Sequence, residues 1–582
     1  MRKFTGLMPI VLLMLAFSVF AGCGGSKKGG NNNQPPRTYT VTFNTNGGSA
    51  VLSVQVSSGG TLQSPATPVR ADSVFEGWYS DSGLTIKAIF PYTVSQDVTL
   101  YARWRWTAGI EIMTPAQLYD VRNNLTGNYR LAADISLSAY ADWEPIGVSG
   151  APFRGKIDGN GHKITNLKID RMTETLAGLF GYVYGGVIIN LVLENVNIDG
   201  GFYAGAIAGF AGSSTITNCR STGSITGNID DTRGYAGGIT GFANDSTITD
   251  CHGTVSINAK NYAGGITGYA LGSTISDCSS AVNINSVFSA GGIAGDANNS
   301  TITDCQSTGD ITGSIDTGHA GGITGDAYYS TISDCSSAVN VKTGYFSGGI
   351  AGGASYSVVT NCNSAGNITG NINMEGTVGG IIGFATDGTT ITNSYSTGNI
   401  SAKIGAGGIV GVIYGDSTIT NSYSTGNISA TMDAGGIAGG VATGSAITNC
   451  YSTGNISATS GGAGGIAGNV FNGTVTNCAA INRTITGASY AGAGRVAGYI
   501  SSDSSVSNNF ALSTMQATGV QFDTDPRKHG VSKTDAELKT QSSYSGAING
   551  DGFGGLGWKF GNNDAAPWKI PAGGGYSILY WQ

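Results

Sequence analysis

One pattern returns a dozen times along this chain, and it leaves few folds open. Its first half reads G-G-I-x-G, with copies ending at Gly181, Gly209, Gly241, Gly268, Gly295, Gly325, Gly352, Gly383, Gly411, Gly439, Gly468 and Gly498, 27 to 32 residues apart. Its second half reads S-T-I-T-[ND]-[CS], followed by S-T-G-N-I-S. A fixed period of this size marks a solenoid, in which each repeat is one unit stacked on the next. The apolar runs are short and β-branched, and Gly or Asn separates them. No repeat has room for a helix of about ten residues. The expectation is an all-β chain: a parallel β-solenoid (β-helix) of about twelve coils, each of about three short strands. At about 4.8 Å per coil, the rod would be roughly 55–60 Å long.

Stacking predicts columns of identical residues. Ile239, Ile266, Ile293, Ile323, Ile350, Ile381, Ile409, Ile437 and Ile466 form one. A second runs from Ile216 through Ile248 and Ile275 to Ile447, and a third from Ile225 through Ile257 and Ile284 to Ile456. Three aliphatic ladders are what a narrow core needs, because no coil buries its face alone. Composition agrees. Glycine is 95 of 582 residues, charged residues are only 11%, and 40% are hydrophobic. Disorder normally goes with high charge and low hydrophobicity. The formal net charge of −7 disfavours nucleic acid, which needs a clustered basic surface.

The N-terminus carries an export signal. Met1-Arg2-Lys3 precedes an apolar run from Leu7 to Phe20 and then Ala21-Gly22-Cys23. A basic start, a short apolar core and small residues before a cleavage point make a secretory signal, not a spanning helix. The Cys after Ala-Gly resembles the lipobox of bacterial lipoproteins. That resemblance implies a signal peptide over 1–22 and a diacylated Cys23 at the mature N-terminus. Residues 23–37, rich in Gly, Asn and Pro, read as a flexible tether.

Residues 38–104 have a different texture. YTVTF (Tyr39 to Phe43) alternates, turns at Asn46-Gly47-Gly48, and alternates again as VLSVQV; FEGWY and DVTLYARW follow. Period-two alternation around Asn-Gly turns indicates short strands. The order of these motifs resembles the Listeria–Bacteroides repeat, also called the internalin B-repeat, which implies a small β-grasp-like spacer or adhesion module. Phe75, Trp78, Tyr101 and Trp104 are expected in its core. The long repeat itself resembles the GLUG-motif repeat of bacterial surface proteins, which also occurs in the non-catalytic N-terminal part of IgA-protease-type metallopeptidases. By that resemblance, residues 105–176 are the entrance cap and first coils, with a helix at Thr114 to Tyr119. Residues 177–510 are the solenoid proper, and 511–582 its closing cap. Both ends need covering, since open edge strands pair with other chains.

Cys219, Cys251, Cys278, Cys305, Cys335, Cys362, Cys450 and Cys478 all occupy one repeat position, and Ser394 and Ser422 replace them in two coils. An even count in an exported protein normally suggests disulfides, and Cα atoms about 4.8 Å apart lie within bridging range. Yet the side chains would run parallel, and Ser enters with no lost partner. We read the column as a structural ladder of free thiols. No CxxC or clustered His points to a metal there.

Two further columns are candidate sites. Asn218, Asp250, Asp277, Asp304, Asp334, Asn361, Asn393, Asn421, Asn449 and Asn477 precede the Cys position. Asn side chains can hold turns and bond along the rod. The four consecutive aspartates repel one another, so they need solvent, raised pKa values or a cation. The ordinary reading is a solvated turn column; the alternative is calcium, the only cofactor the chain suggests. After the Cys position, Tyr395, Tyr423 and Tyr451 stack in successive coils. Facing out, they would suit sugar rings or a protein partner; otherwise they stiffen the rod. A second such strip runs through Tyr203, Tyr235 and Tyr262.

No catalytic motif is visible. The four histidines, His162, His252, His319 and His529, make no HExxH, and no nucleophile elbow occurs. Many parallel β-helices act on acidic glycans, but residues 177–510 hold seven Lys/Arg against eighteen Asp/Glu. The expectation is therefore a non-enzymatic, lipid-anchored protein of the cell envelope that faces outward, adhesin-like or structural, presenting its solenoid to glycan or protein ligands. The alternative is a β-helix carbohydrate-active enzyme, a polysaccharide lyase or hydrolase.

Overall fold

The structure is a computed structural model. It describes residues 38–582 except 71–72, 83, 107–108, 173–174, 228–233, 313–317, 343–344, 371–374, 489–491, 520, 523 and 546–554. The signal peptide expected over 1–22, the expected lipid site Cys23 and the expected tether over 23–37 lie outside the described residues.

The repeats form a parallel β-solenoid, and each coil has four strand positions where three were expected. One coil shows them in turn: Thr267–Leu271, Thr274–Ser276, Ser279–Ser286 and Ser289–Gly291. The extra strand is the short A-G step before the G-G-I corner, too glycine-rich to carry a period-two signal. Two of the ribbons so formed have twelve strands. A third has fifteen, because Ile110–Ile112, Asn128–Leu131 and Lys156–Asp158 extend it at the N-terminal end. The strand pairings along the rod are parallel and in register, as Ile248 faces Ile275 and Ile257 faces Ile284, except for one register shift between Leu193 and Val196.

The three isoleucine ladders form the core. Ile239, Ile275 and Ile284 are fully buried, and their columns run the rod's length in one continuous hydrophobic cluster. The coil is so narrow that its corners admit nothing but hydrogen. A Cβ on Gly264 would stand 1.9 Å from the Thr267 carbonyl oxygen and 2.6 Å from the Gly295 amide of the next coil. The Asn/Asp column marks another corner. Asn218, Asp250, Asp277, Asp304, Asp334 and Asn361 all have φ between 52° and 55°, the left-handed region that Asn and Asp enter most readily among residues with a side chain.

The eight cysteines of the ladder are buried and unbridged. Each thiol sits against the carbonyl two residues back, as Cys278 Sγ does against Ser276 O at 3.2 Å. Ser394 makes the same contact to Thr392 O at 2.9 Å, so serine fits the column. Burial pushes the Cys219, Cys278, Cys335 and Cys450 thiols well above their ordinary pKa, which keeps them protonated.

At the N-terminal end a short helix, Pro115–Tyr119, carries a capping box between Thr114 and Gln117, where the sequence placed a helix. Before it lies the small domain, a mixed sheet of Val54–Ser57, Thr38–Asn44, Val98–Trp106 and Ser73–Tyr79 in that order. Trp78 and Trp104 are buried in its core, with Phe75 packed against them. Tyr101 is a correction. It alternates with Leu100 and Ala102, so it leaves the core and points outward with Arg103.

At the other end, Phe510–Leu512, Gln516–Thr518 and Val531–Lys533 complete the last coil. The chain then turns back along one face of the rod as a strap that reaches Tyr423 and Asn393.

Gly264→Ala and Cys278→Ser separate the two kinds of column. The first forces backbone against backbone and should cost about 2–3 kcal/mol. The second keeps its carbonyl partner and should cost about 1 kcal/mol or less. Denaturant unfolding of the full chain measures both, and equal losses would contradict the packing described.

Candidate functional site

The rod presents three exterior features where chemistry could occur. The first lies where the small domain meets it. Arg103 and Arg105, both paired with Glu76, line a cavity of about 840 Å³ whose other wall includes Asp158, Asn218, Asp250 and Asp277. The aspartate column thus lies opposite an Arg–Glu–Arg cluster. Its upper part is a side-chain ladder: Asn218 Nδ2 donates to Asn190 Oδ1 at 2.8 Å, and Asn190 Nδ2 to Asp158 Oδ1 at 2.9 Å. Asp250 is only 7% exposed. Burial first, then the neighbouring Asp277 carboxylate, pushes its pKa up to about 7; burial also raises Asp277 and Asp304. Among the described residues no three His, Cys, Asp or Glu side chains form a group able to hold a metal ion. The left-handed corner by itself accounts for Asn or Asp at Asp250, Asp277, Asp304 and Asp334.

The second feature is the tyrosine strip, and its place is a correction. Tyr395, Tyr423 and Tyr451 stack as expected, with ring centroids 5.1 and 4.8 Å apart and planes within 3°. They do point out of the coil, but the C-terminal strap covers them. Tyr451 Oη donates to Ser577 O at 2.7 Å, Gln582 Nε2 donates to Tyr423 Oη at 2.6 Å, and Trp581 packs on Tyr395. Tyr423 and Tyr451 keep 5% and 3% of their surface. The strip is an internal docking face, closed to sugars.

The third feature contains the strip expected through Tyr203, Tyr235 and Tyr262; the column beside it was not singled out from the sequence. Two outward columns, one from each of two ribbons, pack edge to face along the rod. Tyr203, Tyr235 and Tyr262 stack along one side, 5.2 and 4.9 Å apart. Tyr182, Phe210, Phe242 and Tyr269 stack along the other, 4.6, 5.1 and 5.1 Å apart. In the next two coils the aromatics stop. Ser289 and His319 take the first column, and Asp296 and Asp326 the second. Phe346 and Phe384 resume the aromatics beyond, stacked at 4.7 Å. His319 Nδ1 lies 2.6 Å from Asp326. Burial and the facing Asp326 hold the Asp296 carboxyl well above its usual range.

Beside this notch lies an open aromatic cluster. Tyr328, Tyr329 and Tyr356 are 42%, 50% and 48% exposed. The Tyr329 and Tyr356 rings stack at 4.6 Å and 7°, with Tyr328 edge-on at 4.5 Å from Tyr329. Tyr329 and Tyr356 have φ of 48° and 50°. Other coils fill that corner with Ser213, Asp245, Gly272, Asn299, Thr443 and Asn472. The sequence signal was available, as two tyrosines in a column of small turn residues.

Comparison with known proteins finds both kinds of repeat. Residues 39–103 match the Listeria-Bacteroides repeat domain, and residues 375–401 and 430–457 match the GLUG motif. The chain is 33% identical to halomucin of Haloquadratum walsbyi over 202 residues, 31% of this chain and 2% of that protein. It is 40% identical to a putative Gly-rich membrane protein of Evansella cellulosilytica over 99 residues, 15% of this chain and 12% of that one. The chain thus spans a small part of these relatives' lengths. Among solved structures, a putative immunoglobulin A1 protease from Bacteroides ovatus aligns over 81% of this chain and 93% of its own, at 21% identity and a TM-score of 0.22. A second structure, an IgA1 protease, aligns over 64% of this chain and 26% of its own, at 15% identity and a TM-score of 0.29. No helix among the described residues is long and apolar enough to cross a membrane.

Asp250 gives this subsection its test. Its folded pKa stands near 7, above the ordinary value of about 3.9. The folded state therefore holds the proton more tightly, and stability falls as pH rises from about 4 to about 7. Asp250→Asn, a residue native at Asn218 and Asn361 of the same column, should gain roughly 1–2 kcal/mol at pH 8 and almost nothing at pH 4. A gain independent of pH in denaturant unfolding would refute the assignment.

Proposed function

We propose that this chain is a lipid-anchored display protein of the cell envelope whose rod binds glycan through the Tyr328, Tyr329 and Tyr356 platform. One observation carries the glycan reading. Two bulky residues sit in the left-handed region, each at a cost of about 1–2 kcal/mol, and their rings are left in solvent. Aromatic faces stacked in the open gain nothing from the core. Strain held at an exposed site is a mark of function, and flat aromatic faces suit the apolar faces of sugar rings. The solenoid supplies a rigid support for such a platform.

The anchoring reading rests on the residues before the rod. The apolar run from Leu7 to Phe20 ends at Ala21-Gly22-Cys23, and a polar stretch follows. Lipid at Cys23 with a tether would hold the small domain and then the rod away from the membrane, facing outward. Two lipid chains are enough for stable attachment. Two relatives are named as membrane proteins, in keeping with a place in the envelope.

Two measurements check these statements. Expressed in a bacterial host with labelled fatty acid, the full chain should take up label and fractionate with membranes, and Cys23→Ser should do neither. On a glycan array the full chain should bind at least one neutral or cationic oligosaccharide, and the Tyr329→Ala/Tyr356→Ala double variant should lose roughly tenfold or more in affinity. Because both substitutions leave the core untouched, binding that survives them would remove the platform from the function.

A further inference from the structure

The notch and the platform lie on one face. Along Thr324–Tyr328, residues alternate, so Asp326 and Tyr328 both point outward, about 6.6 Å apart by strand rise. Asp296 stands one coil away in register with Asp326. Its carboxylate takes the Ala297 amide and receives no side-chain hydrogen bond among the described residues. Asp326 is paired with His319, and both are about one quarter exposed, so the notch is open to solvent. Gly353 follows in the same column. A Cβ there would lie 2.2 Å from Asp326 Oδ1 and 3.0 Å from His319 Nδ1, so the space is kept for these polar groups. Tyr262 and Tyr269 form the wall on one side, and Phe288, 41% exposed, stands edge-on to Tyr262 at 5.7 Å.

The notch thus gathers two carboxyl groups, one of them without a side-chain partner among the described residues, beside aromatic rings. Two ionised carboxyls so close in a partly desolvated place would be costly, so Asp296 favours its protonated form, and a compact cation beside it would favour ionisation. An ammonium suits the surroundings: it donates three hydrogen bonds and is attracted to aromatic faces. A single His-Asp pair plus one carboxylate is a poor cage for a metal ion that wants six to eight oxygen ligands.

We propose that this notch binds a primary ammonium group, and that with the tyrosine platform beside it the rod selects amino sugars in their free-amine form. The ring lies on Tyr329 and Tyr356, and the amine enters between Asp296 and Asp326. This rests on the glycan reading of the platform and adds its chemical class.

The test is calorimetric titration of the full chain with four probes: a tetramer of glucosamine, the same tetramer fully N-acetylated, spermidine, and calcium alone. The glucosamine tetramer should bind at least about tenfold tighter than its acetylated form. Asp296→Asn and Asp326→Asn should each erase that preference while leaving the thermal unfolding midpoint unchanged or raised. Tyr329→Ala/Tyr356→Ala should weaken both tetramers together. Equal or tighter binding of the acetylated tetramer would overturn the ammonium site and leave the platform standing. Binding of spermidine or calcium that Asp296→Asn abolishes, with neither tetramer bound, would overturn the amino-sugar reading and the platform with it. No saturable binding of any probe would overturn both.

Discussion

Every other feature of this protein depends on the parallel hydrogen-bonded register between successive coils. A single coil offers the core little more than its three aliphatic side chains, far too few to bury a face by itself. Only when Ile248 lies on Ile275 and Ile257 on Ile284 does an unbroken core exist. Register in turn depends on corners that repeat without variation. Gly264 cannot accept a methyl group, because backbone oxygen already stands 1.9 Å from where it would be. The Asn/Asp corner must be left-handed in every coil. What looks like low sequence complexity is the same steric demand met twelve times.

That demand explains what the sequence disclosed and what it hid. The ladders, the repeat count, the thiol column and the capped helix at Pro115–Tyr119 all express local or periodic constraints, and periodicity is readable in a single chain. The fourth strand was hidden because Tyr262-Ala263-Gly264 has neither the length nor the alternation of a strand. Tyr101 was misplaced because an aromatic in an alternating strand can fall on either face, and only the packing of Leu100 and Ala102 decides. The strap was hidden for another reason. Tyr451 meets Ser577 across 126 residues, and Tyr423 meets Gln582 across 159, with no repeat to signal such a contact. The strip it covers had the right chemistry for a ligand, and the chain itself occupies it.

On a rod of equivalent coils, a functional site should appear as a departure from its column. The departures divide by what satisfies them. Tyr395, Tyr423 and Tyr451 depart from their column and are satisfied by Trp581, Ser577 and Gln582. The raised Asp250 carboxyl departs from asparagine, and it is satisfied by keeping its proton. Asp296, Asp326 and His319 interrupt an aromatic double ladder, and Tyr329 and Tyr356 occupy corners meant for Asn or Gly. Nothing else among the described residues completes them.

Adjacency gives the last two departures their weight. A solenoid places residues about thirty positions apart side by side, so a change in two consecutive repeats builds one contiguous surface. The interrupted ladder falls in the coils that hold Asn298 and Tyr328, and the tyrosine corners fall in the coil of Tyr328 and the one after it. Neighbouring columns thus lose their consensus over the same short length of rod, while the core beneath them keeps Ile293, Ile302, Ile323 and Ile332 fully buried. Core selection explains none of these outward residues. A rigid core that tolerates any outward residue is the condition under which a ligand site can be written onto a repeat protein.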